Sequence, residues 1–409
     1  MKKSILRNYA KLIVKKGVNV QKNQDVIINA SVDTAYFVKY VVEEAYKAHA
    51  RKVSVEWNFD DLTKLAYKYE SIESLSTIPT WKKEKLQYRV DTLPAMIHIL
   101  SDDPDGLSSI NQEKLLQVKK ATGPILMKYR EEMDNKFQWT IIGIPSPAWA
   151  KKVFPNLSKA KAMDALWDAI LKVTRVYGNP LLNWDEHNKN LSEKANKLND
   201  LMIKSLHYKA NNGTDFTIDI QNCMKFASGG EYTLSKVFYN PNMPTEECFT
   251  SPEKNSCNGT VYASKPLSVN GSVVTDFGFK FVNGKVVEVL AKNAKDKEIL
   301  EKLVSTDEGA AYLGEVALVP FDSPVNQTNV LFFNTLYDEN ACCHLALGRA
   351  FNECIKDFDK LSDKEIETVN LNKSMIHVDF MIGTNDLSIV ATTYDNKQVT
   401  IFKDGLWVI

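Results

Sequence analysis

The apolar and polar positions of this chain change rhythm about halfway along. Ile5, Leu6, Tyr9, Leu12, Ile13 and Val14 recur at helical spacing, and Gly17 stops them, so 3–17 is predicted helical. The run 25–30 is short and apolar, as in a strand buried on both faces. Ser31 or Asp33 caps a helix to about Ala48, with Ala35, Val38, Val41, Val42 and Ala45 inward, and 51–57 is the next strand. Strand, helix and strand within about 30 residues make a parallel βαβ unit with a right-handed crossover. The alternation continues with a strand at 95–100, a helix from Asn111 to about Thr122, a strand at 138–144, and helices near 159–176 and 185–203.

From about 204 the period becomes two. The runs 206–210 and 216–220 flank an Asn211-Asn212-Gly213 turn, which reads as a hairpin. The habit recurs at 271–274, at 276–282 and 285–290 around Asn283-Gly284, and at 387–392 and 398–402 around Asp395-Asn396. Helices are expected near 295–313 and 340–356. The fold class is therefore an α/β N-terminal domain with an open, mostly parallel sheet, and an α+β C-terminal domain with an antiparallel sheet. The expected domains are 1–195, structural or dimer-forming, and 196–409, which carries the chemistry.

Composition narrows the function. The chain has 409 residues, too many for one core, with 51 Lys+Arg against 51 Asp+Glu. A protein that binds nucleic acid or an anionic membrane as its main partner would show a basic excess. No apolar run reaches the ~18 residues of a membrane span. Arg7, Asn8 and Lys11 interrupt any signal-peptide core, so a cytoplasmic location is expected. The six cysteines form no CxxC pair and read as reduced, mostly buried thiols. No GxGxxG or GxxxxGK[ST] run supports nucleotide binding, and no HExxH or GxSxG run supports a zincin or a serine hydrolase.

The candidate chemistry lies between residues 240 and 384. His377 and Asp379 are two apart in a strand-like run, so both side chains share a face. Glu339 and His344 flank the start of the predicted 340–356 helix, with Asp338 or Asn340 as its cap. Glu315 sits within an apolar run, where a buried carboxylate needs a partner. Glu246 and Glu247 lie within a stretch of three prolines, 240–252, that breaks the surrounding pattern. Four carboxylates and two imidazoles, without paired thiols, suit hard-to-borderline divalent ions such as Zn, Co, Mn or Mg. They are enough for two ions that share one oxygen ligand, a pair that would activate water and polarise a carbonyl.

These residues sit in motifs that resemble the M29 family of metal-dependent aminopeptidases, the aminopeptidase T and S group. The motifs run in order along nearly the whole chain: GVNVQK (17–22), VEWN (55–58), PSPAWAKKVFP (145–155), NMPTEE (242–247), SKPL (264–267), TDEGA (306–310), LGEVALVP (313–320), DENA (338–341) before His344, and HVDFMIG (377–383). The resemblance implies two metal ions (Zn, Co or Mg) on Glu247 or its neighbour Glu246, Glu315 as bridge, Glu339, His344, His377 and Asp379. It also implies a homodimer and hydrolysis of N-terminal residues from peptides with broad specificity. Glu315 or Glu247 would act as proton carrier. One position departs from the family pattern: Phe351 stands where a tyrosine is expected, seven residues after His344. A metal-retaining peptide-binding protein or a weakly active paralogue is the alternative.

Overall fold

The computed structural model describes residues 1–101, 103–269 and 272–409. Its contacts divide the chain into two compact units, Met1–Asp185 with Gly230–Pro244, and Glu186–Gly229 with Thr245–Ile409. The return of 230–244 to the first unit has a simple cause: the short strand Asn242–Met243 pairs with that unit's sheet.

The first unit is built on a five-stranded parallel sheet. Its labelled strands are β1 (Asp25–Ser31), β2 (Lys52–Asn58), β3 (Ala95–Leu100) and β4 (Trp139–Gly143), in the order Asn242–Met243, β4, β3, β1, β2. Helix α1 (Lys3–Leu12) buries Leu6, Tyr9, Ala10 and Leu12, and the Tyr9 hydroxyl donates to the Gly143 carbonyl at 3.1 Å. Rings of Tyr9, Phe37 and Trp167 pack together, with centroids 5.5 to 6.5 Å apart. Between β2 and β3 lie helices Asp60–Tyr69, Ile72–Ser76 and Thr80–Thr92, none of which buries a residue. Thr80–Thr92 has no apolar stripe, while Asp60–Tyr69 leaves Leu62, Leu65 and Tyr69 exposed. The helix expected to stop near Thr122 runs on as Gln112–Met133, through Gly123 and Pro124.

The second unit carries two large antiparallel sheets and a small one, Leu267–Val269 with Ser272–Val274. The larger contains β5 (Ile203–Lys209), β6 (Asp215–Asp219), β8 (Asn258–Tyr262), β9 (Phe277–Val282), β10 (Lys285–Ala291), β14 (Ser388–Thr393) and β15 (Gln398–Lys403), closed by Leu406–Trp407. The smaller runs β13 (His377–Met381), β12 (His344–Gly348), β11 (Leu313–Leu318), β7 (Cys248–Thr250), then Ala227–Ser228. A core that includes Tyr208, Phe216, Phe277, Phe279, Leu318, Leu345 and Phe380 joins the two. The strand expected at 271–274 is seen as Ser272–Val274, and Gly271 lies outside the described residues.

Two expected helices are corrected. The 295–313 helix ends at Val304, and a 3-10 turn, Glu308–Ala311, follows it. The 340–356 helix is absent: a 3-10 turn, Glu339–Ala341, leads into β12, which is buried at every residue. Leu and Ala at 345–347 favour a helix locally, but a central position between two partners overrides that preference. Among the described residues, no helix is long and apolar enough to cross a membrane. All six cysteines are free, five of them buried and Cys223 exposed.

Candidate metal centre

Three adjacent strands of the smaller sheet bring the site together. Glu315 on β11 pairs with Ala346 on β12, which pairs with Asp379 on β13. His344 pairs with Ala317, and His377 with Gly348. Directly paired residues, and residues two apart on a strand, point to the same face. Glu315, His344, His377 and Asp379 therefore share one face. Ala346 and Gly348 lie among them and leave the middle of that face open. Glu247 immediately precedes β7, the strand on the other side of β11.

The distances are short. His344 Nε2 lies 3.3 Å from Glu247 Oε2, and His377 Nε2 lies 3.1 Å from Glu315 Oε2 and 3.2 Å from Asp379 Oδ1. Two sets of ligand atoms each fall within 4.8 Å: Glu247, Glu315 and His344, and Glu315, His377 and Asp379. Glu315 belongs to both. Glu247, Glu315, His344 and Asp379 are buried, while His377 keeps 25 % of its side chain exposed.

Glu339 is in neither set, yet its charge interacts with Asp379, Glu247, His344 and Glu315. It leaves the 3-10 turn just before β12, not the start of a helix. Asp338 does not cap a helix there either; its carboxylate accepts the backbone N–H groups of Phe332 and Asn334. Asn340 ties the neighbouring segments. Its Oδ1 accepts the Glu246 N–H at 2.7 Å, and its amide donates to the Leu336 carbonyl at 2.9 Å. Glu246 is buried, but its carboxylate lies 4.0 Å from His187 Nε2 and outside both sets.

Such a cluster is electrostatically strained without cations. Burial, with the Glu247 charge adding to it, pushes the Glu315 carboxyl up to about 7 against the hydrogen bond from His377. Burial and the charges of Asp379 and Glu247 hold Glu339 well above the usual carboxylate range. Burial works against a charged His344, but Glu247, Glu315 and Asp379 overcome it and push the imidazole up to about 10. His377 is likewise raised, by Asp379 and Glu315 against burial. Asp379 alone falls below its ordinary range, because His377 outweighs its burial.

Divalent cations fit these residues. Among the described residues no lysine or arginine pairs with Glu247, Glu315, Glu339 or Asp379. His344 Nδ1 is buried without a hydrogen-bond partner. Four carboxylates against two doubly charged ions, four negative charges against four positive, would leave neutral imidazoles and a balanced site.

The family model described as thermophilic metalloprotease (M29) matches residues 2–407. The chain belongs to the M29 peptidase family. Among relatives of this M29 chain, aminopeptidase AmpS of Bacillus subtilis is 42 % identical over 404 residues, 98 % of each chain. Aminopeptidase 2 of Geobacillus stearothermophilus is 39 % identical over 404 residues, 98 % of this chain and 97 % of that one. The solved structure of wild-type AmpT from Thermus thermophilus superposes over 100 % of both chains, with a TM-score of 0.90 and 33 % identity.

Around this cluster in the M29 chain lie residues that the sequence did not single out. Asn372 and the Arg349 carbonyl hold the segments around His377, and no motif or period announces them. Phe351 was flagged, and its ring centroid lies 4.8 Å from that of His377 and 5.6 Å from that of Phe249.

Proposed function

We propose that this chain removes N-terminal residues from peptides of varied sequence, using two divalent ions (Zn, Co or Mg) held on one face of the smaller sheet. That it is a metal-dependent aminopeptidase follows from its family and from relatives named as aminopeptidases across its whole length. The two-ion reading rests chiefly on one observation: Glu315 contributes to both sets of ligand atoms. One ion would take Glu247, Glu315 and His344, the other Glu315, His377 and Asp379, with Glu339 as a further ligand. When bound, such a pair makes water nucleophilic near neutral pH and polarises the scissile carbonyl.

The protein's own groups do the rest. Glu247, a ligand of one ion only, is the carboxylate we assign to carry a proton from the attacking water to the departing amine. The walls of β11 and β12, buried throughout, limit the water that reaches this face. We assign the 196–409 region to catalysis and the 1–195 region to support and to assembly of a cytoplasmic homodimer.

The test is a metal count with activity on the same sample. Protein stripped by a chelator and reloaded should bind two ions per chain and regain turnover on aminoacyl anilides in step with the second. Turnover unaffected by stripping would overturn the proposal.

A further inference from the structure

We propose that Asn372 is a positioning residue for His377, acting through the main chain of Gly348 and Arg349. The inference rests on the metal-centre reading above and assigns a residue outside the ligand set.

His377 Nδ1 lies 2.8 Å from the Arg349 carbonyl oxygen. A carbonyl only accepts, so Nδ1 carries the proton and Nε2 is the atom turned toward Glu315 and Asp379. Orientation of a ligating imidazole by a second partner fixes both its tautomer and the direction of its lone pair. The question is then what holds that carbonyl.

The Arg349 carbonyl belongs to a stretch pinned on every side. The N–H groups of Gly348, Arg349 and Ala350 donate to the carbonyls of Tyr312, Ile376 and Asn372, at 2.8, 2.8 and 3.0 Å. Asn372 adds its side chain: Nδ2 donates to the Gly348 carbonyl at 2.6 Å and to the Gly309 carbonyl at 2.8 Å. Its neighbours there are all carbonyl oxygens, which settles the orientation of the amide. Asn372 is 1 % exposed, so the amide sits in this position at the expense of solvation and is not a chance surface contact.

The backbone around it allows nothing bulkier. Gly348 has φ +107°, and a Cβ there would meet the Ile376 carbonyl at 2.1 Å. A Cβ on Gly314 would come within 2.3 Å of the Arg349 oxygen itself. The register irregularity between Leu313 and Glu315 lies at the same place. The three strands are thus shaped around one carbonyl, and Asn372 is the side chain that ties its turn to the Glu308–Ala311 turn.

The experiment compares wild type with Asn372→Leu and Asn372→Asp, two changes that keep the number of side-chain heavy atoms and remove the donors to the Gly348 carbonyl. Proton NMR of 15N-histidine-labelled protein follows the His377 Nδ1–H, assigned by its absence in His377→Ala. Cobalt(II) titration, followed by visible absorption, gives the affinity of each ion. In wild type the N–H should be protected from exchange. In a variant that still melts cooperatively, it should exchange at least about tenfold faster, and one of two cobalt equivalents should weaken by about 10–100-fold. Unchanged exchange, or unchanged cobalt affinity despite faster exchange, would overturn the positioning role. Should Asn372→Leu fail to fold, Asn372→Asp decides by the same criteria. A wild type that binds no cobalt overturns the metal-centre reading instead, while the exchange comparison still tests what Asn372 holds.

Discussion

Glu315→Gln is the substitution that separates a shared ligand from an ordinary one. Glutamine keeps the shape of the buried side chain and removes one negative charge from both sets of ligand atoms, each of which spans no more than 4.8 Å. Two unit charges about 4 Å apart at an effective dielectric near 20 interact by about 4 kcal/mol, and a divalent ion doubles that. Rehydration of the ion and the amide oxygen left in place recover roughly half. The net loss is about 4 kcal/mol per ion, or about 10³-fold in affinity. Both ions should feel it, since each loses one of its three grouped donors. Isothermal titration of chelator-stripped protein with Zn or Co reads both constants, and thermal melting checks the fold. Glu246→Gln is the comparison, because that carboxylate lies outside both sets; it should shift neither constant by more than about tenfold. Loss of one ion alone, with the other within threefold of wild type, would refute Glu315 as the common ligand.

Three other outcomes are expected. His344, pushed up to about 10, and His377, also raised, hold protons at pH 7 in the metal-free protein, and Glu315 is near half-protonated. Metal binding must expel them, together with the proton that the raised Glu339 carboxyl holds, so affinity should rise with pH from 6 toward about 10, with more than two protons released at pH 7. Titrations in buffers of different ionisation enthalpy measure this, and zero release would contradict the charge assignment. Removing the metals should lower the melting temperature; at 100 times Kd a bound ion adds about 2.7 kcal/mol per site, several degrees by calorimetry, and an unchanged melt would contradict a folded-state site. Phe351→Tyr places a hydroxyl beside the His377 ring, where it can donate to a developing oxyanion. Turnover on an aminoacyl anilide should rise by up to about 10²–10³; an unchanged rate would mean that the hydroxyl has no role there.

Much of the fold was legible because burial leaves a periodic record. The expected strand 95–100 is β3, residue for residue, and 25–30 and 51–57 fall within one residue of β1 and β2. Paired hairpin strands from 206 onward were visible for the same reason, with Asn-Gly at 283–284 marking a turn. Helix Thr80–Thr92 was invisible because nothing on it is buried and it has no apolar stripe. The strand at His344 was misread because its burial on both faces removes the alternation that identifies a strand.

The site followed the same logic. His377 and Asp379 could be placed on one face from spacing alone, since β13 is a strand. Glu315 could be singled out as a carboxylate in an apolar run. That these two strands meet across His344 was not deducible from spacing, because it depends on the register of three segments well separated along the chain. The family resemblance supplied that link. Asn372 lay beyond both routes, for its role consists of hydrogen bonds to carbonyls that every residue possesses.

The most direct measurement is anomalous scattering from crystals of zinc- or cobalt-loaded protein, collected on both sides of the metal edge. Two peaks should appear on the face shared by β11, β12 and β13, one against Glu247, Glu315 and His344 and the other against Glu315, His377 and Asp379, with a Glu315 oxygen bound to each. A single peak, or peaks away from Glu315, would contradict the two-ion centre.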